Sequence, residues 1–541
     1  MRIGLLTEGG YPYATGESRL WCDRLVRGLT PHEFDVYALS RSARQEEAGW
    51  VDLPPQVRCV RTAQLWAPED DGHTYGRRER RRFAEHFGAL VTGVCAEDDT
   101  TGAASSFAEG LYGLAELAAE RGGLYAALRS ELAVRTLESA CRTPGARRGV
   151  AAATVPDYLD VVDQLERALR PLSLDWYGEH ALGAADLCHA ASGGSAALPG
   201  LLAKRFFGTP LLVTEYGVQL RAHYLSTVEG PRPAPVRALL AAFQGRLAGE
   251  VYRQAALLTP GNTHARRWQE KCGADRAKLR TVYPGMASER FTEVGEDEES
   301  GDPATLVWVG RVEPAKDLIA LLHAFADVRR AQPDVRLRII AAPVREPGAD
   351  AYVAHCRALA AQLFPDEAPG AHAVGENPVS FEEIGGPEAP TLAEAYAAGA
   401  VVVLSSVVEG FPISLVEAMF CARATVSTDV GAVVEVIGGT GLVVPPRNPR
   451  ALADACLALL RDPERRYRLG AAARARALEL FTVEQNLAAF RGIYLELLSR
   501  SPVRRRAAEG VPFAHPAEAY VPGSWADQPV SAAGGTGAPD A

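Results

Sequence analysis

At 541 residues the chain is too long for one ordinary hydrophobic core, so two or more domains are expected. With 47% hydrophobic and 23% charged residues it has a globular composition, which excludes a disordered or fibrous class. A formal net charge of −10 excludes the basic field that non-specific nucleic-acid binding requires.

The apolar run 2–7 reads as a buried strand; polarity returns too quickly for a leader peptide. A helical pattern over 17–29 and a strand over 34–39 follow. Between the first strand and helix stands Thr7-Glu-Gly-Gly-Tyr-Pro-Tyr-Ala-Thr-Gly16. A glycine-rich strand-to-helix turn lets backbone N–H groups approach phosphate or sugar. It is not the G-x-G-x-x-G dinucleotide fingerprint. Residues 77–172 are mostly helical in pattern, with Gly/Ala-rich breaks, and read as a helical insertion in the first domain.

Alternation resumes with strands expected over 186–190, 210–215 and 257–259, and helices over 196–206, 236–255 and 263–271. His189 and Ser192-Gly-Gly194 end one strand. Val213-Thr-Glu-Tyr-Gly-Val-Gln-Leu-Arg221 ends another. Glu215, Tyr216 and Arg221 are candidates for a cleft, with purely local hydrogen bonding as the alternative. Residues 293–303 are acidic, lack apolar periodicity and read as a solvated linker.

Beyond it, strands are expected over 305–309, 335–341, 400–404 and 425–427, and helices over 317–330, 349–363, 413–420, 449–460, 463–480 and 483–499. Repeated strand–helix units imply two parallel sheets covered by helices, with ligands bound at the carboxyl ends of the strands. The tail 501–541, with Arg504-Arg-Arg506, is expected to be disordered.

Two segments of this second half carry the chemistry. In Val309-Gly-Arg-Val-Glu-Pro-Ala-Lys-Asp317, Gly310 gives the turn room. Arg311 and Lys316 can clamp a diphosphate, or else pair with Glu313 and Asp317. In Glu409-Gly-Phe-Pro-Ile-Ser-Leu-Val-Glu417, two carboxylates stand eight residues apart across a strand end and a helix start. Gly410 lets backbone approach a ligand and Pro412 suits a first helical turn. A helix N-terminus flanked by acids suits a ligand with a phosphate and several hydroxyls, such as a sugar nucleotide. Asp429-Val-Gly-Ala432 follows the next strand, and Asp429 reads as a loop or cap residue. The nine cysteines have no metal-ligand or redox spacing and read as free thiols of a reducing compartment. No Asp-x-Asp triplet and no His/Cys cluster occur, so no metal and no cofactor are expected.

Together these sites resemble the retaining GT-B glycosyltransferases of family 4, in the PelF-like branch. Three pieces carry the match: the Thr7–Gly16 turn, Ala203-Lys-Arg-Phe-Phe-Gly-Thr-Pro-Leu-Leu-Val-Thr-Glu215, and the segment from Glu409 to Gly431. The resemblance covers most of residues 1–500. It implies two Rossmann-like doubly wound domains facing across a cleft: an acceptor-side domain over 1–292, a nucleotide-sugar domain over 304–481, and a helix over 482–500 crossing back to the first. It implies that Glu409 contacts the donor sugar and Glu417 the ribose, while Arg311 and Lys316 hold the diphosphate. Backbone at Gly310 and over Gly410, Phe411, Pro412, Ile413 and Ser414 would help. Gly16 would border acceptor and phosphate, with Tyr216 among the catalytic residues near the reacting sugar and Glu8, Glu215, Arg221 and His189 on the acceptor side.

The chain departs from the branch at Tyr216, where a histidine is usual, at Gly16-Glu17, where a glycine pair is usual, and at Tyr283-Pro-Gly285 in the hinge. The implied function is cytoplasmic transfer of a sugar from a nucleoside-diphosphate donor, UDP-linked, to a hydroxyl acceptor during polysaccharide or glycoconjugate synthesis. Two alternatives remain open: a non-catalytic sugar-nucleotide-binding subunit and a nucleotide-sugar epimerase. No apolar run is long enough to span a membrane; peripheral membrane or synthase-complex contact stays open.

Overall fold

The computed structural model describes residues 1–16, 18–67, 70–97, 101–227, 232–296, 301–342, 349–365 and 377–501. Glu17, residues 297–300 of the acidic segment and the tail from 502, with its three arginines, lie outside the described residues.

Six apolar runs form the first sheet: β1 (Arg2–Glu8), β2 (Glu33–Ser40), β3 (Val57–Gln64), β4 (Leu187–Ala190), β5 (Leu211–Glu215) and β6 (Leu257–Pro260). All pair in parallel in the order β3-β2-β1-β4-β5-β6. The second sheet holds β7 (Asp302–Gly310), β8 (Arg336–Ala341), β9 (Val379–Glu383), β10 (Gly399–Leu404), β11 (Ala424–Thr428) and β12 (Leu442–Val444). Its order, β9-β8-β7-β10-β11-β12, repeats the first, again all parallel. Strand order therefore reverses beside β1 and β4 in one sheet and beside β7 and β10 in the other. At such a switch point neighbouring connections leave in opposite directions and open a crevice at the strands' carboxyl ends.

The insertion is helical, as its pattern predicts, with helices Arg77–Cys95, Thr101–Arg121, Glu131–Cys141 and Val155–Leu169 as its longer elements. Phe83, Phe87, Leu90, Val91 and Val94 form one buried stripe that joins Phe107 and Leu111, then Leu239, Phe243 and Leu247 of helix Ala234–Gln254. The final helix, Val483–Arg500, buries Phe490, Ile493, Tyr494 and Leu497 against Ile3, Leu5, Phe34 and Leu212 of the first sheet. It thus packs on the first sheet.

The described ends of the acidic segment belong to regular elements. Helix Thr292–Glu296 occupies its start and β7 begins at Asp302. Arg474 fixes that helix, donating to the Phe420 carbonyl (2.7 Å) and to Glu296 (3.3 Å). Among the described residues no helix is long and apolar enough to cross a membrane.

Candidate functional site

The second sheet's switch point places the two sequence motifs side by side. After β7 the chain makes a short turn, Pro314–Lys316. Asp317, at φ 47°, then caps helix Leu318–Ala331 by accepting from the Ala320 N–H at 3.2 Å. After β10, Ser405 and Ser406 lead through a loop to helix Ile413–Phe420, whose first turn bonds back to the Pro412 carbonyl. The two loops are stitched together. Ser405 Oγ donates to the Lys316 carbonyl at 2.7 Å, and the Val407 N–H to the Ala315 carbonyl at 2.9 Å.

At their junction the Lys316 ammonium forms an ion pair with Glu409 Oε1, which also accepts from Ser406 Oγ at 2.7 Å. Both charged side chains are largely buried, 16% and 9% exposed. Gly431, at φ 58°, lets the following loop close on this one: a Cβ there would sit 2.4 Å from the Glu409 carbonyl oxygen. The Ala432 N–H donates to the Gly410 carbonyl at 3.1 Å. Around Gly410 itself the space is open, with nothing within 4 Å of an added Cβ.

One helical turn pair farther on, Glu417 accepts from Tyr396 Oη at 2.8 Å. Burial pushes its carboxyl up, against the opposing Tyr396 hydrogen bond and the charges of Arg290 and Arg24. Arg24 belongs to helix Arg19–Gly28 of the first domain, so Glu417 senses both domains. Ile413 is exposed, Pro412 buried, Ser414 half-buried, and Phe411 packs edge-on to Phe481 at 5.7 Å.

Arg311 is not brought to this junction. Val312 beside it is buried in the core, so Arg311 points outward, exposed, with Glu313 3.8 Å away. Of the two expected cations only Lys316 stands at the junction, and Arg311 takes the surface-pairing alternative. Gly310 uses its carbonyl to accept from Ala342, and Asp429 is an exposed loop residue.

The first domain's strand ends differ from expectation. Glu215 has no exposed surface. It accepts from the Gly193 N–H (2.8 Å), Tyr252 Oη (2.5 Å) and Gln269 Nε2 (2.8 Å), and burial raises its pKa. His189 is equally buried, bridging Tyr494 Oη and Thr214 Oγ1 at 2.7 Å each, with its pKa lowered by burial to about 3. Neither lines a cleft; both satisfy a buried network. Tyr216 packs edge-on to Trp21 at 5.1 Å, and its hydroxyl accepts from Asn486 Nδ2 at 2.9 Å. Arg221 does reach across, donating from Nη2 to the Glu409 carbonyl at 3.1 Å. Glu8, at the end of β1, is held by Arg41 at 2.9 Å. Gly16, at φ 110°, folds onto Gly9, where any Cβ would collide with the Gly9 carbonyl oxygen at 1.9 Å.

Ser406, Tyr396, Glu435 and Asn486 were not singled out by sequence. Ser406 stands two residues past the end of β10 and Glu435 six residues beyond Asp429, which was the available signal. Two cavities lie elsewhere, about 530 Å³ beneath the insertion beside Tyr112 and about 770 Å³ behind the second sheet beside Arg474. Neither is lined by Lys316, Glu409 or Glu417. Among the described residues no group of three His, Cys, Asp or Glu side chains converges as metal ligands, and all nine cysteines are free thiols.

A family model described as a domain of unknown function, DUF3492, matches residues 1–277. The chain belongs to the DUF3492 family. In this DUF3492 protein a second model, described as glycosyl transferases group 1, matches residues 303–462, which hold Lys316, Glu409 and Glu417. Curated relatives include the D-inositol 3-phosphate glycosyltransferase of Kribbella flavida, 28% identical over 54% of this chain and 68% of the relative. That of Kineococcus radiotolerans is 31% identical over 46% and 58%. The chain thus spans between about three fifths and two thirds of these relatives' length.

Among solved structures, sucrose-phosphate synthase of Thermosynechococcus elongatus superposes with a TM-score of 0.54 at 16% identity, over 92% of this chain and 100% of that one. Anabaena HepE in complex with UDP gives 0.54 at 15% identity, with the same coverage. Those likenesses show the fold, which is GT-B: two parallel six-stranded sheets with covering helices. With the matched glycosyl transferase domain, the DUF3492 protein is a glycosyltransferase of the GT-B type.

Proposed function

We propose that the chain is a retaining, metal-independent, family-4 glycosyltransferase of the PelF-like branch, moving a sugar from a UDP-linked donor to a hydroxyl acceptor in polysaccharide or glycoconjugate synthesis. The observation that carries this is the Lys316–Glu409 ion pair at the β7/β10 switch point, beside the start of helix Ile413–Phe420. A diphosphate entering there exchanges one anion for another on Lys316 and leaves Glu409 free to accept sugar hydroxyls. Glu417, one helical stretch on, receives the ribose. The solved HepE complex with UDP on the same fold supports the choice of nucleotide.

In the reaction an acceptor hydroxyl attacks the anomeric carbon from the face of the leaving diphosphate, as the C–O bond to the diphosphate breaks. The departing phosphate oxygen takes the hydroxyl proton, so the protein supplies position and charge rather than a base. Closure of the domains keeps water from the donor.

The test is calorimetric titration with UDP-glucose, UDP-N-acetylglucosamine, GDP-mannose and UDP, with and without chelator. Binding of a UDP species unaffected by chelator, and weakened in Glu417→Ala, is expected. No nucleotide binding by the wild type overturns the proposal.

A further inference from the structure

The two domains touch at a second place, away from the reacting groups. Glu435 stands on the short helix Val433–Ile437, just past the Gly431–Ala432 turn that pins the Glu409 loop. Its Oε2 accepts from the Thr263 backbone N–H at 2.7 Å, and its Oε1 from Tyr283 Oη at 2.9 Å. Thr263 is the first residue of helix Thr263–Lys271 in the first domain. Asn262 caps the Ala265 N–H there, leaving the Thr263 N–H for a carboxylate from across the boundary. Tyr283 lies in the hinge. Its carbonyl accepts from Asn486 Nδ2 at 2.7 Å, and the same amide donates to Tyr216. Two of the residues that depart from the resembled branch, Tyr216 and Tyr283, are thus wired through one asparagine to Glu435.

We propose that Glu435 is a positioning residue. By joining helix Thr263–Lys271 and the hinge to the loop that follows Glu409, it holds the domains in the arrangement where Arg221 grips the Glu409 carbonyl. Glu435 touches no substrate; it acts through the 409–412 backbone, gripped from one side by Arg221 and from the other by Ala432. The role in turnover rests on the function proposed above, whereas the clasp itself does not.

The experiment compares wild type, Glu435→Ala and Glu435→Gln as full-length protein. Amide hydrogen exchange, without nucleotide, is expected to rise by about tenfold at Thr263 and at Ala432, whose N–H holds the Gly410 carbonyl, in Glu435→Ala, and to stay unchanged within helix Leu318–Ala331. In Glu435→Gln the amide oxygen still accepts from Thr263 and its NH2 turns to Tyr283 Oη, so most protection returns. UDP affinity is expected to hold within about threefold in both variants while kcat of Glu435→Ala falls about tenfold at unchanged donor KM. Unchanged exchange at Ala432 in Glu435→Ala overturns the clasp. If that variant does not fold, Tyr283→Phe removes one of the two bonds alone, and the same exchange measurement decides. Loss of UDP binding in the wild type overturns the proposed function and leaves the exchange result standing.

Discussion

The two sheets repeat one strand order, yet they use the polar residues at their strand ends in opposite ways. At β4 and β5 the polar groups turn inward: His189, Thr214 and Glu215 are buried and saturated by neighbours from three helices. At β7 and β10 the polar groups form a half-open junction, with Lys316 and Glu409 bonded to one another and open space around Gly410. A titratable group at a strand's carboxyl end is therefore no evidence of a site by itself. What separates the two regions is how many protein partners already fill its hydrogen-bonding capacity.

That contrast can be broken in four places. The largest effect belongs to Glu215→Ala, which strands the Gly193, Tyr252 and Gln269 donors in the core. It is expected to cost about 4 kcal/mol in urea unfolding, with UDP affinity of the folded protein unchanged. A variant of normal stability and lost activity would move Glu215 to the functional side. Next, Lys316→Ala is expected to weaken UDP by about a hundredfold, roughly 2.7 kcal/mol, but uridine hardly at all. An equal loss for both ligands would show that Lys316 holds the loop rather than the diphosphate.

The third test is pH. Burial lowers the His189 pKa to about 3 from 6.5, so below pH 6.5 the unfolded chain binds a proton that the native state refuses. Stability from this site is complete above pH 6.5 and is lost as pH falls toward 3. Between pH 7 and 5 the loss is about 2 kcal/mol. Thermal melts of wild type and His189→Phe should differ by this pH dependence, and parallel curves would deny His189 its place in the network. Smallest is Tyr216→Phe, which removes the acceptor for Asn486. It is expected to cost about 1 kcal/mol of stability and to leave kcat within about threefold. A collapse in kcat would put the tyrosine hydroxyl on the substrate.

The second domain's motifs were legible in the sequence and the first domain's buried polar groups were not, for a physical reason. Helices Ile413–Phe420 and Thr263–Lys271 stand where their apolar patterns and flanking residues place them, because local signals set helix ends. That Lys316 meets Glu409 was not legible, since it depends on β7 lying beside β10, and strand adjacency is a tertiary fact. Arg311 was assigned by spacing alone; the buried Val312 next to it turns it away. Strands β3, β9 and β12 escaped notice because all three are edge strands or short, with half-exposed faces and weak alternation. Glu215 and His189 looked functional because sequence shows a residue's chemistry but not the neighbours that use it up.

The returning helix, Val483–Arg500, has a consequence for how the protein is made. Phe490, Ile493, Tyr494 and Leu497 complete a core begun by Ile3 and Leu5. The ribosome supplies these residues only after the whole second domain has emerged. The first domain to be synthesised is thus the last to be finished, and its sheet waits with one apolar face uncovered. A fragment ending near residue 292 would keep that face permanently exposed and would be prone to aggregate, whereas the second domain carries its own core and has no such debt to the start of the chain.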